Sequence, residues 1–247
     1  MHTPTIDELW STPPATNRFF DPNAFSSLPE PAQRYLCHAI APGTPLASAV
    51  KMTSHGEIKL KGWSPFTAEQ VNRIDGRLLW TATIRQSGMP ITGFDSLIGG
   101  EARMNWRLFG FIPIANADGD DVTQSGIGRY QGEAVWLPSL LCDSSVTWES
   151  SGPNQVTANL STLGRNTRLS LTIDGDGRLE QLAFLRWGNP NGSDFHNEDY
   201  GAVIEEERTF GGYTVPSKLT VGWYFGTGRF KSEGEYFRAT IDSAQFR

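Results

Sequence analysis

A chain of 247 residues, 38% hydrophobic and 11% aromatic, can bury a sizeable core as one large all-β domain or two small ones. Its net charge of -6, with no basic stripe, argues against nucleic acid and against anionic lipid surfaces as partners. No run approaches the ~20 apolar residues of a membrane-spanning helix. The start, MHTPTIDELW, has neither the basic region nor the apolar core of a signal peptide, so a cytoplasmic protein is expected.

Residues 1–27 are rich in Pro, Asn, Ser and Thr and read as an N-terminal extension to a single β-rich domain over 28–247. Leu28 to Ile40 reads as a short helix. Pro29 and Pro31 fall in its first turn, where a missing N–H costs nothing. Leu28, Ala32, Tyr35 and Leu36 form its apolar face. From Ala47 the apolar period changes to two. SAVKMTSHGEIKL, GWSPFTAEQVNRI, RLLWTATIRQ and ARMNWRLFGFIPIA each read as strand. Leu78, Trp80, Ala82 and Ile84 share one face of the third.

Gly128 to Leu141, GRYQGEAVWLPSLL, breaks the pattern and reads as a helix that Pro138 cuts short. Arg129 and Glu133 are four residues apart and meet on one face of it. Six further segments, from SVTWES to RFKSEGEYFRATIDSAQF, return to strand, separated by turn signals at GPN, DGDG, FGG and GTG. About ten strands at this spacing imply an all-β sandwich or barrel with antiparallel pairing. Cys37 and Cys142 both lie in apolar, helix-like contexts, so buried free thiols are expected.

Chemical motifs are mostly negative. GIGRYQG lacks the spacing and the βαβ setting of a dinucleotide fingerprint, and no P-loop or GxSxG elbow occurs. His2, His38, His55 and His196 are scattered, and the acidic stretches around Asp118 and Asp174 read as turns, so neither metal nor cofactor is expected. His55 beside Glu57 reads as an ordinary strand position.

Three polar constellations remain. Arg129, Tyr130, Glu133 and Trp136 on the lone helix form either a functional lid or a plug that closes a core. Glu69 and Gln70, in FTAEQ after Phe66, form either an inward polar pair or an exposed face. In Glu205-Glu206-Glu207 the strand alternation sends one carboxylate to the other side of the sheet, where it needs a partner such as Arg186 or Arg229.

LPEPAQRYL, FTAEQ, RYQGEAVWLPSLL and ERTFGGYTVPSKLTVGWYFG, in that order, resemble an uncharacterised bacterial family of unknown function. The resemblance runs from about Leu28 to the end. It rests on Arg34, Tyr35, Phe66, Arg129, Tyr130, Glu133, Trp136, Pro138, Gly211, Gly212 and Pro216. The architecture also resembles the half-barrel carriers of lipoproteins, which implies a large curved antiparallel sheet around an apolar cavity, with the 128–141 helix as its lid or plug.

These expectations frame three functions. The first is binding of an apolar small molecule or lipid, with Arg129 holding a carboxylate or phosphate head group. The cavity would be lined by Tyr130, Trp136, Trp80, Trp106, Phe66, Glu69, Trp187, Tyr200 and Trp223. The second is a cofactor-independent isomerase, cyclase or hydrolase of an apolar metabolite. There Glu133 is acid or base, Tyr130 donates to the reacting oxygen, and Arg129 tunes Glu133. The third is a structural or interaction module with a filled core. The oligomeric state is not legible.

Overall fold

The computed structural model describes residues 4–192 and 194–247; His2 lies outside them. Two helices precede the sheet, α1 (Ile6–Ser11) and α2 (Glu30–Ala39). The first lies inside the stretch read as a plain extension. Its signal is local: Thr5 and Glu8 form a reciprocal capping box, each side chain accepting from the other's backbone N–H.

Six strands follow: β1 (Ala49–Lys59), β2 (Trp63–Arg73), β3 (Arg77–Gln86), β4 (Met89–Ile98), β5 (Glu101–Leu108) and β6 (Ile112–Ala117). Then comes α3 (Asp120–Gly132), with short 3-10 turns at Glu133–Trp136 and Pro138–Cys142. Seven more strands complete the chain: β7 (Thr147–Gly152), β8 (Gln155–Thr162), β9 (Arg165–Ile173), β10 (Leu179–Gly188), β11 (His196–Phe210), β12 (Tyr213–Trp223) and β13 (Glu235–Phe246).

The strands form one antiparallel sheet in the order β6-β5-β4-β3-β2-β1-β13-β12-β11-β10-β9-β8-β7. Thirteen strands replace the expected ten or so: the segment holding FGG is two strands, β11 and β12, and two more strands are added elsewhere. Met89–Ile98 pairs in full with β3 and β5. The stretch read as one strand from Ala102 is a hairpin, turned at Phe109 and Gly110, both at positive φ (54° and 79°). Positive φ at two successive residues is the conformation of a type I′ turn, set here in a three-residue loop over 109–111.

The sheet is strongly curved. α3 packs on β4 and β5 and also on β8, β9 and β10. In the sheet order seven strands separate β5 from β10. In a flat sheet that would set them ~38 Å apart, too far for one helix of ~10 Å diameter to touch both. The connectivity explains why a helix lies there. β6 and β7 are the two sheet edges and are consecutive in the chain, so the segment between them must cross the face.

The inner face carries the alternating residues Leu78, Trp80, Ala82 and Ile84, all buried as the pattern predicts. The outer face of β2 and β3 is covered by α1, whose Ile6 and Leu9 pack on Val71 and Leu79.

The lid helix departs from the expected 128–141 span. It begins eight residues earlier and ends at Gly132, six residues before Pro138. Glycines along it allow a close approach. A β-carbon on Gly126 would sit 2.6 Å from Ala102 Cβ, and one on Gly132 would sit 2.6 Å from the Phe184 ring. Both cysteines are free, but only Cys142 is buried; Cys37 lies on the solvent side of α2.

Candidate functional site

Between α3 and the inner face of the sheet lies a cavity of about 370 Å³. Strand alternation supplies its walls: Leu78 and Trp80 from β3, Leu182 and Phe184 from β10, Tyr200 and Ala202 from β11, Leu219 and Trp223 from β12. Exposed Asn189 and half-buried Phe195 lie at its rim, so the cavity reaches solvent.

An unbroken set of ring contacts runs across the wall. Trp80 tilts against Trp106 (centroids 5.5 Å apart) and meets Phe237 edge-on at 6.2 Å. Phe237 lies 6.4 Å from Tyr236. Tyr236 contacts Tyr200, which meets Trp223 and Phe184 at 4.9 and 5.4 Å. Such a wall offers large apolar area at fixed geometry.

Arg103, Arg129 and Arg186 line the cavity, and the surroundings of the last two differ. Arg129, in the last turn of α3, donates from Nε to Glu133 Oε1 at 2.7 Å and from Nη1 to Asp95 Oδ2 at 2.9 Å. Its guanidinium also lies 5.1 Å from the Trp80 ring. Each carboxylate's other oxygen is engaged as well. Gln70 and Asn72 donate to Glu133 Oε2 at 2.5 and 2.9 Å, and the Trp106 indole donates to Asp95 Oδ1 at 2.9 Å. Burial opposes the Arg129 charge, but Glu133 and Asp95 outweigh it and hold its pKa above the ordinary value. This is a charge-matched clamp between the lid and the sheet.

Arg186, on β10, is 9% exposed and forms no ion pair among the described residues. Its nearest acceptors, the Tyr236 hydroxyl and the Ser125 carbonyl and hydroxyl oxygens, all stand at 3.5 Å, the far limit of a hydrogen bond. Its Nε is buried with no partner. The guanidinium lies against both the Tyr200 and Trp223 rings, 4.6 and 5.3 Å from their centroids. Burial, reinforced by Tyr236, raises the Tyr200 phenol well above its ordinary pKa against the pull of Arg186, so it is a neutral donor.

The structure brings Arg129, Glu133, Trp136, Trp80, Tyr200 and Trp223 to the cavity wall. The other candidates lie elsewhere. Tyr130, one residue from Arg129, is turned by about 100° around the helix. Its hydroxyl donates to the Arg73 carbonyl at 2.7 Å, and its ring borders a second, more polar hollow of about 350 Å³. Phe66 and Trp106 are buried behind the wall, Phe66 stacked on Phe237 and Trp106 tilted against Trp80. Glu69 is exposed because β2 sends Gln70 inward and its neighbour outward. Trp187 lies off the cavity, its indole donating to Asp121 at the start of α3.

The acidic run also resolves differently from its alternation. Register shifts at Ile204/Glu206 and Glu206/Glu207 turn the strand locally. Glu205 pairs with Lys218 at 3.1 Å, and buried Glu207 pairs with His38 at 2.7 Å. Neither reaches Arg186, and Arg229 pairs with Glu233 at 2.6 Å. His55 occupies an exposed strand position and pairs with Asp242 at 2.8 Å. Sequence reasoning missed Asp95, Gln70 and Asn72 as the clamp's partners. It also placed Arg186 as a partner for a carboxylate that in fact points away.

The family model described as "Family of unknown function (DUF6920)" matches residues 26–246. No curated protein matches the chain by sequence. Among solved structures, a LolA superfamily protein from Nitrosomonas europaea is similar at a TM-score of 0.45 and 9% identity, over 88% of this chain and 92% of that one. A domain assigned as an outer membrane lipoprotein-sorting protein, from Vibrio parahaemolyticus, is similar at a TM-score of 0.38 and 7% identity, over 81% and 86%.

Proposed function

Since the chain belongs to DUF6920, a family to which no activity is attached, we propose from the site itself that it binds a lipophilic small molecule in the cavity under α3. The observation that carries this reading is the cavity: about 370 Å³, open at one rim and walled by aromatic and aliphatic side chains. Burying ~200 Å² of apolar ligand surface there contributes about 5 kcal/mol before the costs of association.

No observation favours the enzyme reading. Glu133 has both oxygens engaged by three donors, and Tyr130 faces away from the cavity. Three donors on Glu133 compete with a substrate proton for its lone pairs, which weakens it as a general base.

Native mass spectrometry with solvent extraction of the freshly purified protein tests the proposal. The result expected is a reproducible apolar adduct, lost in Ala202→Phe, which fills the cavity from its floor. A clean unliganded mass in the wild type, with no thermal shift across a panel of lipids and apolar metabolites, overturns it.

A further inference from the structure

The buried, unpaired Arg186 guanidinium is the feature that lipophilic binding alone does not account for. Taking an arginine out of water costs several kcal/mol unless the charge is matched. Arg129 shows what matching looks like in the same cavity: two carboxylates at 2.7 and 2.9 Å. Arg186 has instead two aromatic faces and three contacts at 3.5 Å. Burial opposes its charge, Tyr200 and Tyr236 favour it, and Arg129 adds a like charge against it.

Neutral donors stand beside it. Tyr200 and Tyr236 share one hydrogen bond at 2.7 Å. One phenol donates in that bond, so the other keeps its own hydrogen for a further acceptor. Around Arg186 the protein therefore supplies one full positive charge, an unpartnered Nε–H and a spare phenol O–H. It supplies no anion. Among the described residues no second unmatched cation lines the cavity, since Arg103 pairs with Glu101 at 3.0 Å.

We infer that Arg186, with the Tyr200–Tyr236 hydroxyl pair, is the head-group site of the cavity and selects an apolar molecule carrying a single carboxylate. One guanidinium and one phenol match a monoanion with two oxygens; a dianionic phosphate would leave a charge unmatched. This inference rests on the lipophilic-binding reading. It also moves the head group from Arg129, whose charge Glu133 and Asp95 already match, to Arg186.

Dissociation constants of decanoate, decanol and decyl phosphate, near neutral pH, separate the possibilities. The result expected is decanoate binding about 10- to 100-fold more tightly than decanol, the span of a charge-assisted hydrogen bond. Arg186→Met should erase that preference while leaving decanol affinity in place, and Arg186→Lys should retain part of it. Decanol binding and far-UV circular dichroism report whether Arg186→Met folds; if it does not, the wild-type and Arg186→Lys preferences decide. Equal binding of decanoate and decanol to the wild type overturns the head-group site and leaves lipophilic binding standing. A preference for decyl phosphate overturns the single carboxylate, and a preference that survives Arg186→Met overturns the role of Arg186. Failure of all three probes to bind removes the lipophilic reading itself, and this inference with it.

Discussion

Arg129 Nε lies 2.7 Å from Glu133 Oε1 across the point where α3 ends. The pair is spaced as an ordinary i,i+4 helical contact, yet Glu133 belongs to the following 3-10 turn. With Asp95 from β4, it ties the end of the lid helix to the sheet. Removing Arg129 leaves two largely buried carboxylates uncompensated, so Arg129→Met should lower unfolding stability by about 3–5 kcal/mol. Glu133→Gln keeps the shape and leaves Asp95 in place, and should cost less, about 1–3 kcal/mol. Urea denaturation of both variants checks the order. An Arg129→Met variant as stable as the wild type would mean that the clamp holds nothing.

Tyr130 sits beside Arg129 in sequence but faces the opposite way. Its hydroxyl satisfies the Arg73 carbonyl at 2.7 Å in a buried setting. Tyr130→Phe should therefore cost about 1 kcal/mol of stability and leave ligand affinity unchanged. Equilibrium unfolding and ligand titration on the same preparation separate the two effects. A drop in affinity with stability intact would restore Tyr130 to the cavity.

His38 and Glu207 join α2 to β11 at 2.7 Å. The hydrogen bond to Glu207 raises the His38 pKa above its ordinary 6.5, with burial working against it. A histidine raised on folding lends stability that is complete below about 6.5 and fades as pH climbs through the folded value. The urea midpoint of the wild type should thus exceed that of His38→Gln at mildly acidic pH. The gap should narrow on going to alkaline pH, and a gap that widens instead contradicts the pairing.

Gly126 poses a test of competing effects. Replacing an interior helical glycine with alanine favours a helix by ~1 kcal/mol. Here the new methyl would stand 2.6 Å from Ala102 Cβ, and overpacking of that kind costs about 1–3 kcal/mol. Gly126→Ala should therefore lower the melting temperature, the reverse of what propensity alone predicts. A rise would show that α3 can lift from β5 freely.

Much of the sheet was legible because its residues repeat a simple geometry. Leu78, Trp80, Ala82 and Ile84 alternate, and the strand is where the alternation lies. The Phe109–Gly110 turn hid because a phenylalanine at positive φ carries no turn signature. The start of α3 hid because Gly126 and Gly128 are poor helix formers, and the crossing between the sheet edges imposes the helix. In the site, the i,i+4 spacing exposed Arg129 and Glu133, but nothing in the sequence marks Asp95 as their third member. Arg186 looks like any charged strand residue. Only the register shifts beside Glu206 show that its expected partner is turned away.

The strand order has a consequence for how the chain folds. Every pairing but one joins strands that follow each other directly, through connections of eleven residues or fewer. The exception is β1 with β13, which sets Val50 opposite Phe246. Each half of the sheet can thus zip up from nearest neighbours, at small loop-closure cost. The single long-range closure is the seam, and by the scaling of loop entropy it adds only a few kcal/mol beyond a short loop. The slow step of folding is then the meeting of two preformed meanders, and the cavity they share does not exist until that seam has closed.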